Sequence, residues 1–322
     1  MSNPVNEPVS AEYGGKKFRS AAFSRRLSLG VSYVLLGLLA LIWIIPILWI
    51  FLHAFRTDLN AAGEIDGGIV SNFFPHRFGF DNFVKIFTMR VNNVEGAFGY
   101  WMLNTLIVSI SCCILSTFLI LSVAYCISKL RFKMRKTFMN LSMILGLFPG
   151  FMSMFAIYFI LKTFGLSGYS TTDQGRWLSL VGLIIAYSAG AGMGFQVAKG
   201  FFDVLPNSLV ESAKLDGCTN AKIFFRIILP LSKPIIIYTA LMAFTGPWMD
   251  FIFSQVIIGE ANTEFLTVAP GLYNMMYGAY ADSSNFTAFA AGCVCVGVPI
   301  TVLFMFLQRY YVEGVTAGAV KG

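Results

Sequence analysis

An all-α integral membrane protein with six transmembrane helices is what this sequence predicts. Three observations carry the prediction: charge is scarce, uncharged runs are long, and basic residues gather in alternate connections. Of 322 residues, 57% are hydrophobic and only 12% charged, with a mean hydropathy of +0.71; an average soluble domain carries about 25% charged residues. Too few charges remain to coat a surface in water. A disordered chain, a secreted disulfide scaffold and almost any soluble enzyme are excluded on that ground.

The elements follow from the runs between charges. Residues 1–29 are polar and basic, and the apolar run after them is too long for a signal-peptide core, so they read as a tail. Runs without formal charge then cover 27–55, 96–128, 137–161, 177–198 and 283–308, each longer than the about 20 residues that cross a bilayer core. A sixth, 234–258, is interrupted only by Asp250. Helices are therefore predicted at 30–55, 101–128, 137–161, 178–198, 234–258 and 286–308. They form one transmembrane domain over 30–308, followed by a second tail, 309–322. In the first long connection, Asp81 and Asn82 precede Phe83, Val84, Ile86 and Phe87, which predicts a short surface helix.

Of the 23 basic residues, 17 fall in the two tails and in the connections after the second and fourth helices. The positive-inside rule then places both termini in the cytoplasm, so the net charge of +7 is a topology mark and no sign of nucleic-acid binding. The six cysteines show no metal spacing, and none lies in an outer connection, so no disulfide and no metal site are expected. His53 and His76 read as solvated or headgroup-level side chains. No G-x-x-x-x-G-K-[ST] loop occurs, so this polypeptide is not expected to hydrolyse ATP itself.

The inner connection 199–233 is the most informative. Ser208 with Glu211 predicts a capping box at the start of a first short helix, Gly217 a left-handed stop, Thr219 the cap of a second helix and Pro230 its end. Such an elbow can lie in the headgroup layer or, with Asp203, Glu211 and Asp216 among five basic residues, offer a carboxylate to an arginine of a protein partner. Periodicity alone leaves both readings open.

Glu211, Ser212, Ala213, Gly217, Ile227, Leu229 and Pro230 follow the spacing E-A-A-x3-G-x9-I-x-L-P, with Ser212 in place of the first alanine. In this the chain resembles the EAA motif of permease subunits of ATP-binding-cassette importers. The ending QRYYVEGVTAGAVKG, 308–322, looks like that of the carbohydrate-uptake branch. The similarity extends from the first helix to the last residue, and is greatest to the smaller partner of maltose-type permease pairs.

The resemblance implies a type I importer permease fold in a bacterial plasma membrane. It also implies a second homologous permease, a cytoplasmic ATPase dimer carrying ATP and Mg, and an extracytoplasmic sugar-binding protein. The elbow, about 206–228, would dock on the ATPase: Glu211 as the charged contact, Gly217 as the turn, Ala213 and Leu215 on a buried face, with Ser212, Asp216, Ile227, Leu229 and Pro230 in the same coupling set. A maltodextrin-type substrate is favoured, with a non-sugar solute as the alternative.

Within the spans, Pro149 should kink the third helix, either lining a path or simply packing. Trp248, Asp250 and Phe251 resemble a family segment of the fifth helix. Counting from Lys233 puts Asp250 near the outer interface, so it reads either as path lining or as an interfacial anchor. Tyr273, Tyr277 and Tyr280, in a connection without basic groups, are candidates for meeting the binding protein or stacking on sugar. Two other classes compete with the importer reading. An ion-coupled transporter would need more than the single intramembrane Asp250, and a membrane enzyme would need a His, Cys or carboxylate cluster that the chain lacks.

Overall fold

The computed structural model describes residues 15–60, 62–70, 72–167, 173–190, 194–259, 262–278 and 281–316, and no side chains of 15–26, 173–176, 190 or 309–316. The chain forms two compact units, Met1–Leu52 and His53–Gly322. In the first, the described residues form a single helix, α1 (Gly15–Ala54), whose last two residues fall in the second unit. It starts well before the predicted residue 30, so the basic segment is already helical.

The second unit holds the remaining elements. They are α2 (Asp81–Thr88), the hairpin β1 (Arg90–Val91) and β2 (Val94–Glu95), α3 (Ala97–Lys129), α4 (Arg135–Gly146), α5 (Gly150–Thr163), α6 (Asp173–Gly190), α7 (Phe195–Val204), α8 (Asn207–Leu215) and α9 (Asn220–Ile223). A π-helical turn (Phe224–Ile228) follows, then α10 (Leu229–Leu231), α11 (Lys233–Met249), α12 (Ile252–Ile258), α13 (Val268–Met276) and α14 (Phe286–Thr316). The expected surface helix is α2, and α14 runs past the predicted boundary at 308. The hairpin, absent from the sequence reading, turns on Asn92 (φ 44°) and Asn93 (φ 63°); two left-handed residues give the turn whose twist matches paired strands.

Among the described residues, three helices are long and apolar enough to cross a membrane: Leu27–Ala54, Ala97–Lys129 and Ser283–Gln308. Of the other expected spans, the third and the fifth are interrupted among the described residues. Arg135–Gly146 and Gly150–Thr163 meet at 103°, because Pro149, extended at ψ 132°, begins α5 with no amide to bond backwards. The sequence reading of a kink understated this break. The apolar part of the fourth span is only Trp177–Ala189, and α7 begins at Phe195. The fifth ends at Asp250, whose ψ of 119° stops α11 before α12 starts. Non-helical backbone at membrane depth is tolerated only where protein buries it or a wet cavity adjoins it.

The central element is α3, with α11, α7 and α6 packed along it, while α14 lies against α11, α2 and α13. Near its N-terminal end Trp101 Nε1 donates to the Thr263 carbonyl (2.7 Å), and Asn104 Nδ2 to those of Glu264 (2.8 Å) and Leu266 (3.1 Å). The Val268 amide donates to Thr105 Oγ1 (2.8 Å). Residues 263–268 are thereby built into the protein. His53 is fully buried, edge-on to Phe286 at 5.5 Å, which corrects its reading as a solvated side chain: α2 and α14 close over the end of α1. Asn82, buried on α2, donates to the carbonyls of Ala54 (3.1 Å) and Arg56 (2.7 Å) and fixes that closure.

Candidate functional site

The 199–233 segment folds as an elbow. Helix α8 begins at Asn207, two residues before a Ser208 cap would allow, because Pro206 (φ −58°, ψ 129°) turns the chain into the helix; no side chain caps it. Ser208 therefore sits inside the helix, and the predicted capping box is not formed. The stop is as predicted. Gly217 is left-handed (φ 76°), its amide donates to the Lys214 carbonyl (3.0 Å), and the Cys218 amide donates to that of Ala213 (2.9 Å), a Schellman closure. Thr219 Oγ1 accepts from the Lys222 amide (3.3 Å) and caps α9. Pro230 does not end the second helix, which continues to Leu231. The wider π register of Phe224–Ile228 lies directly before the proline, where an α register would drive its ring into a carbonyl one turn back.

A single buried cluster ties this elbow to the membrane helices. Val210 and Ala213 of α8, and Ile223, Phe224 and Ile228 after it, pack with Ile120, Leu121, Ala124, Tyr125 and Ile127 of α3, with Phe195, Ala198 and Phe202 of α7, and with Ile235. Each fully buried Ile here stabilises the packing by about 1.5–3 kcal/mol. Tyr125 Oη donates to the Asn220 carbonyl (3.2 Å), and Lys129 Nζ donates to the Leu205 carbonyl (2.7 Å) and to Asn207 Oδ1 (2.9 Å). Ile227 and Leu229 line the edge of the cluster. Motion imposed on α8 must therefore carry the C-terminal end of α3 with it.

The opposite side of the elbow is open. Glu211, Ser212, Asp216, Gly217 and Pro230 are exposed, and Glu211 makes no ion pair among the described residues. Leu215 is 89% exposed, so it does not share a buried face with Ala213: two residues along a helix lie on opposite sides. Asp203, nearby on α7, has its carboxyl pKa lowered. Burial works to raise it, but hydrogen bonds from Lys199 and Ser128 and the charges of Lys199 and Arg135 outweigh that. Its stabilising contribution is complete at neutral pH and is lost only as pH falls through the lowered value.

A second site lies where the helices break. Asp250 Oδ2 accepts from the Tyr187 hydroxyl and the Ser254 amide (3.3 Å), and Oδ1 from the Phe253 amide (3.3 Å), so the carboxyl group caps α12 and links it to α6. Tyr187 walls two cavities. One, about 270 Å³, is bounded by Cys112, Ser116, Gly194, Tyr238 and Gly246. The other, about 390 Å³, is bounded by Gly150, Phe151, Asp250 and Phe253. The first residues of α5 and α7 and the end of α11 thus converge on one hydrogen bond. Pro149, preceding Gly150, belongs to this region. Trp248 does not: it is buried and faces a separate cavity with Met102, Phe244 and Pro299. Phe251 turns away to stack on Tyr273 (4.4 Å), itself 5.9 Å from Tyr277.

Sequence reasoning missed Tyr187. The available signal was a lone phenol in an apolar helix, which when buried needs a polar partner. Replacing Asp250 with Ala should cost about 2–3 kcal/mol, since three donors lose their acceptor, and Tyr187→Phe about 1 kcal/mol. Thermal unfolding in detergent orders the two, and equal losses would contradict the capping role. Tyr273 (41% exposed) and Tyr277 (63% exposed) stand clear on the α13 side of the protein, while Tyr280 lies outside the described residues.

Comparison with known proteins places these sites in context. Residues 116–316 match the family described as the binding-protein-dependent transport system inner membrane component. The chain is 32% identical to a galactooligosaccharides transport system permease protein of Bacillus subtilis (strain 168), over 92% of this chain and 97% of that one. It is 33% identical to a maltodextrin transport system permease protein of Streptococcus pneumoniae, over 94% and 99%. Among solved structures, it resembles a chain of a bacterial ABC transporter involved in the import of the acidic polysaccharide alginate, with TM-score 0.71 and 18% identity over 95% of this chain and all of that one. At that identity the likeness speaks for the fold.

Proposed function

This chain belongs to the family of binding-protein-dependent transport system inner membrane components, and on that premise we propose that it is the permease subunit of an ATP-driven oligosaccharide importer. It forms half of the translocation path beside a second, homologous permease. The ATPase dimer, carrying ATP and Mg, docks on the exposed face of α8, with Glu211 as the charged contact and Ser212, Leu215 and Asp216 beside it. Both termini are cytoplasmic, and α13 faces a sugar-binding protein through Tyr273 and Tyr277.

The observation that carries this reading is the elbow: one face is fused to α3, α7 and α11 through a shared core, the other is open and acidic at Glu211. Such an element can transmit a partner's rigid-body motion to the membrane helices. The Tyr187–Asp250 contact then lies on the path, where a sugar hydroxyl can exchange for the phenol as the helices rearrange. A maltodextrin is the favoured cargo, supported by the similarity to a maltodextrin permease; the comparable similarity to a galactooligosaccharide permease makes galactosides the control.

The test is the complex, purified with its partners and assayed for sugar-stimulated ATP hydrolysis across α-glucans, galactooligosaccharides and unrelated solutes. Stimulation by α-glucans of several units is expected. Stimulation only by a non-sugar solute would overturn the substrate class.

A further inference from the structure

Between the inner end of α3 and α8 lies a cleft of about 780 Å³ with walls that include Arg131, Phe132, Arg135, Asn207, Glu211 and Lys214. At about 30 Å³ per water, it has room for a headgroup. Lys129 and Asp203 also border it. Four cations thus face two carboxyl groups, and Asp203 is already taken by Lys199, which approaches from outside the cleft, and by Ser128. Lys129 is held by neutral acceptors, the Leu205 carbonyl and Asn207 Oδ1, so its charge is not cancelled by them. Arg131 and Lys214 make no ion pair among the described residues. The cleft is left with a surplus of positive charge where a 33-residue apolar helix ends.

An apolar surface adjoins that charge. Phe132, in the cleft wall, stands 6.4 Å from Phe138 of α4. Beyond it, Leu141, Met143, Ile144 and Leu145 are exposed on a helix with no buried residue. A free anion would use the cations and leave this surface bare. An occupant joining a phosphate to hydrocarbon satisfies both, and basic pockets beside transmembrane helices suit anionic headgroups. We propose that the cleft binds an anionic phospholipid, its phosphate between Arg131, Arg135 and Lys214 and its acyl chains along Phe132 and α4. The site would make the inner end of α3, and with it the elbow, sensitive to membrane charge.

Native mass spectrometry of the full chain, delipidated in detergent, tests this with phosphatidylglycerol, phosphatidylcholine of the same acyl chains and inorganic phosphate. Phosphatidylglycerol should be retained selectively. In the Arg131→Gln, Arg135→Gln, Lys214→Gln triple variant its retention should fall about a hundredfold, given roughly fivefold per cation near an anionic surface, with phosphatidylcholine unchanged. Equal retention of the two lipids, or undiminished phosphatidylglycerol in the variant, would overturn the site; displacement by inorganic phosphate at matched concentration would overturn the lipid as its occupant. If the triple variant does not fold, Arg131→Gln alone, at an exposed position, must lower retention about fivefold, and no change there is equally decisive against the proposal.

Discussion

Glu211→Lys is expected to leave the chain folded and inserted while sugar uptake falls about 30-fold or more and ATP hydrolysis no longer responds to sugar. The side chain is exposed on α8, so a lysine fits there, although it adds a cation to the cleft that Lys129, Arg131, Arg135 and Lys214 border. Its neighbours on the buried face, Val210 and Ala213, keep their packing. What changes is the face offered to the ATPase: a carboxylate placed to pair with a partner's arginine becomes a cation that repels it. Loss of one partner from a desolvated charge pair costs about 2–5 kcal/mol, and each 1.4 kcal/mol is tenfold. Uptake assays in cells, with membrane abundance measured in parallel, separate coupling from folding. Normal uptake by a fully inserted variant would remove Glu211 from the coupling contact.

Gly271→Val should destabilise the protein by about 3 kcal/mol, at the upper end of overpacking effects. A Cβ at Gly271 would stand 2.3 Å from Trp101 Cδ2 and 2.5 Å from Cε3. The ring cannot retreat cheaply: it is fully buried, packed edge-on near Phe98 and held by its bond to the Thr263 carbonyl. Moving it would also disturb Asn104 and Thr105, one turn along α3, which pin 264–268. Gly99→Ala on the same helix is the control, because nothing lies within 4 Å of a Cβ there. Thermal unfolding in detergent should show a large drop for the first and almost none for the second. Equal stabilities would mean that residues 263–268 are not locked to α3 as described.

The parts of the fold that were legible in the sequence are those with a local cause. Uninterrupted apolar runs gave α3 and α14, Asp81 and Asn82 before an apolar group gave α2, and Gly217 and Thr219 gave the elbow its stop and its second start. What escaped was set by packing between distant segments. A run of uncharged residues does not distinguish one straight helix from two short ones meeting at 103°, so α4 and α5 were read as a single span despite Pro149. The Ser208 capping box failed because the backbone of Pro206 enters the helix two residues early. His53 reads as polar until Phe286, over two hundred residues away, closes over it.

The candidate site divides in the same way. The local pattern within 199–233 located the elbow, since its stop at Gly217 and its second cap at Thr219 are short-range signals. It did not separate the inward from the outward face, and Leu215 was assigned to the wrong one. Asp250 stood out as an isolated acid, but its partner Tyr187 is 63 residues earlier, and no periodicity links the two. Trp248 and Phe251, adjacent in sequence to Asp250, point into different surroundings because the backbone breaks between them.

The central claim is that ATP hydrolysis by a partner, transmitted through α8, drives movement of sugar past this chain. The most direct measurement is oligosaccharide uptake into proteoliposomes containing this chain, the second permease and the ATPase dimer, with the binding protein outside and ATP with Mg inside. Uptake is predicted to require ATP and the loaded binding protein, and to be unaffected when proton and sodium gradients are dissipated. Uptake without ATP that follows either gradient would contradict the account.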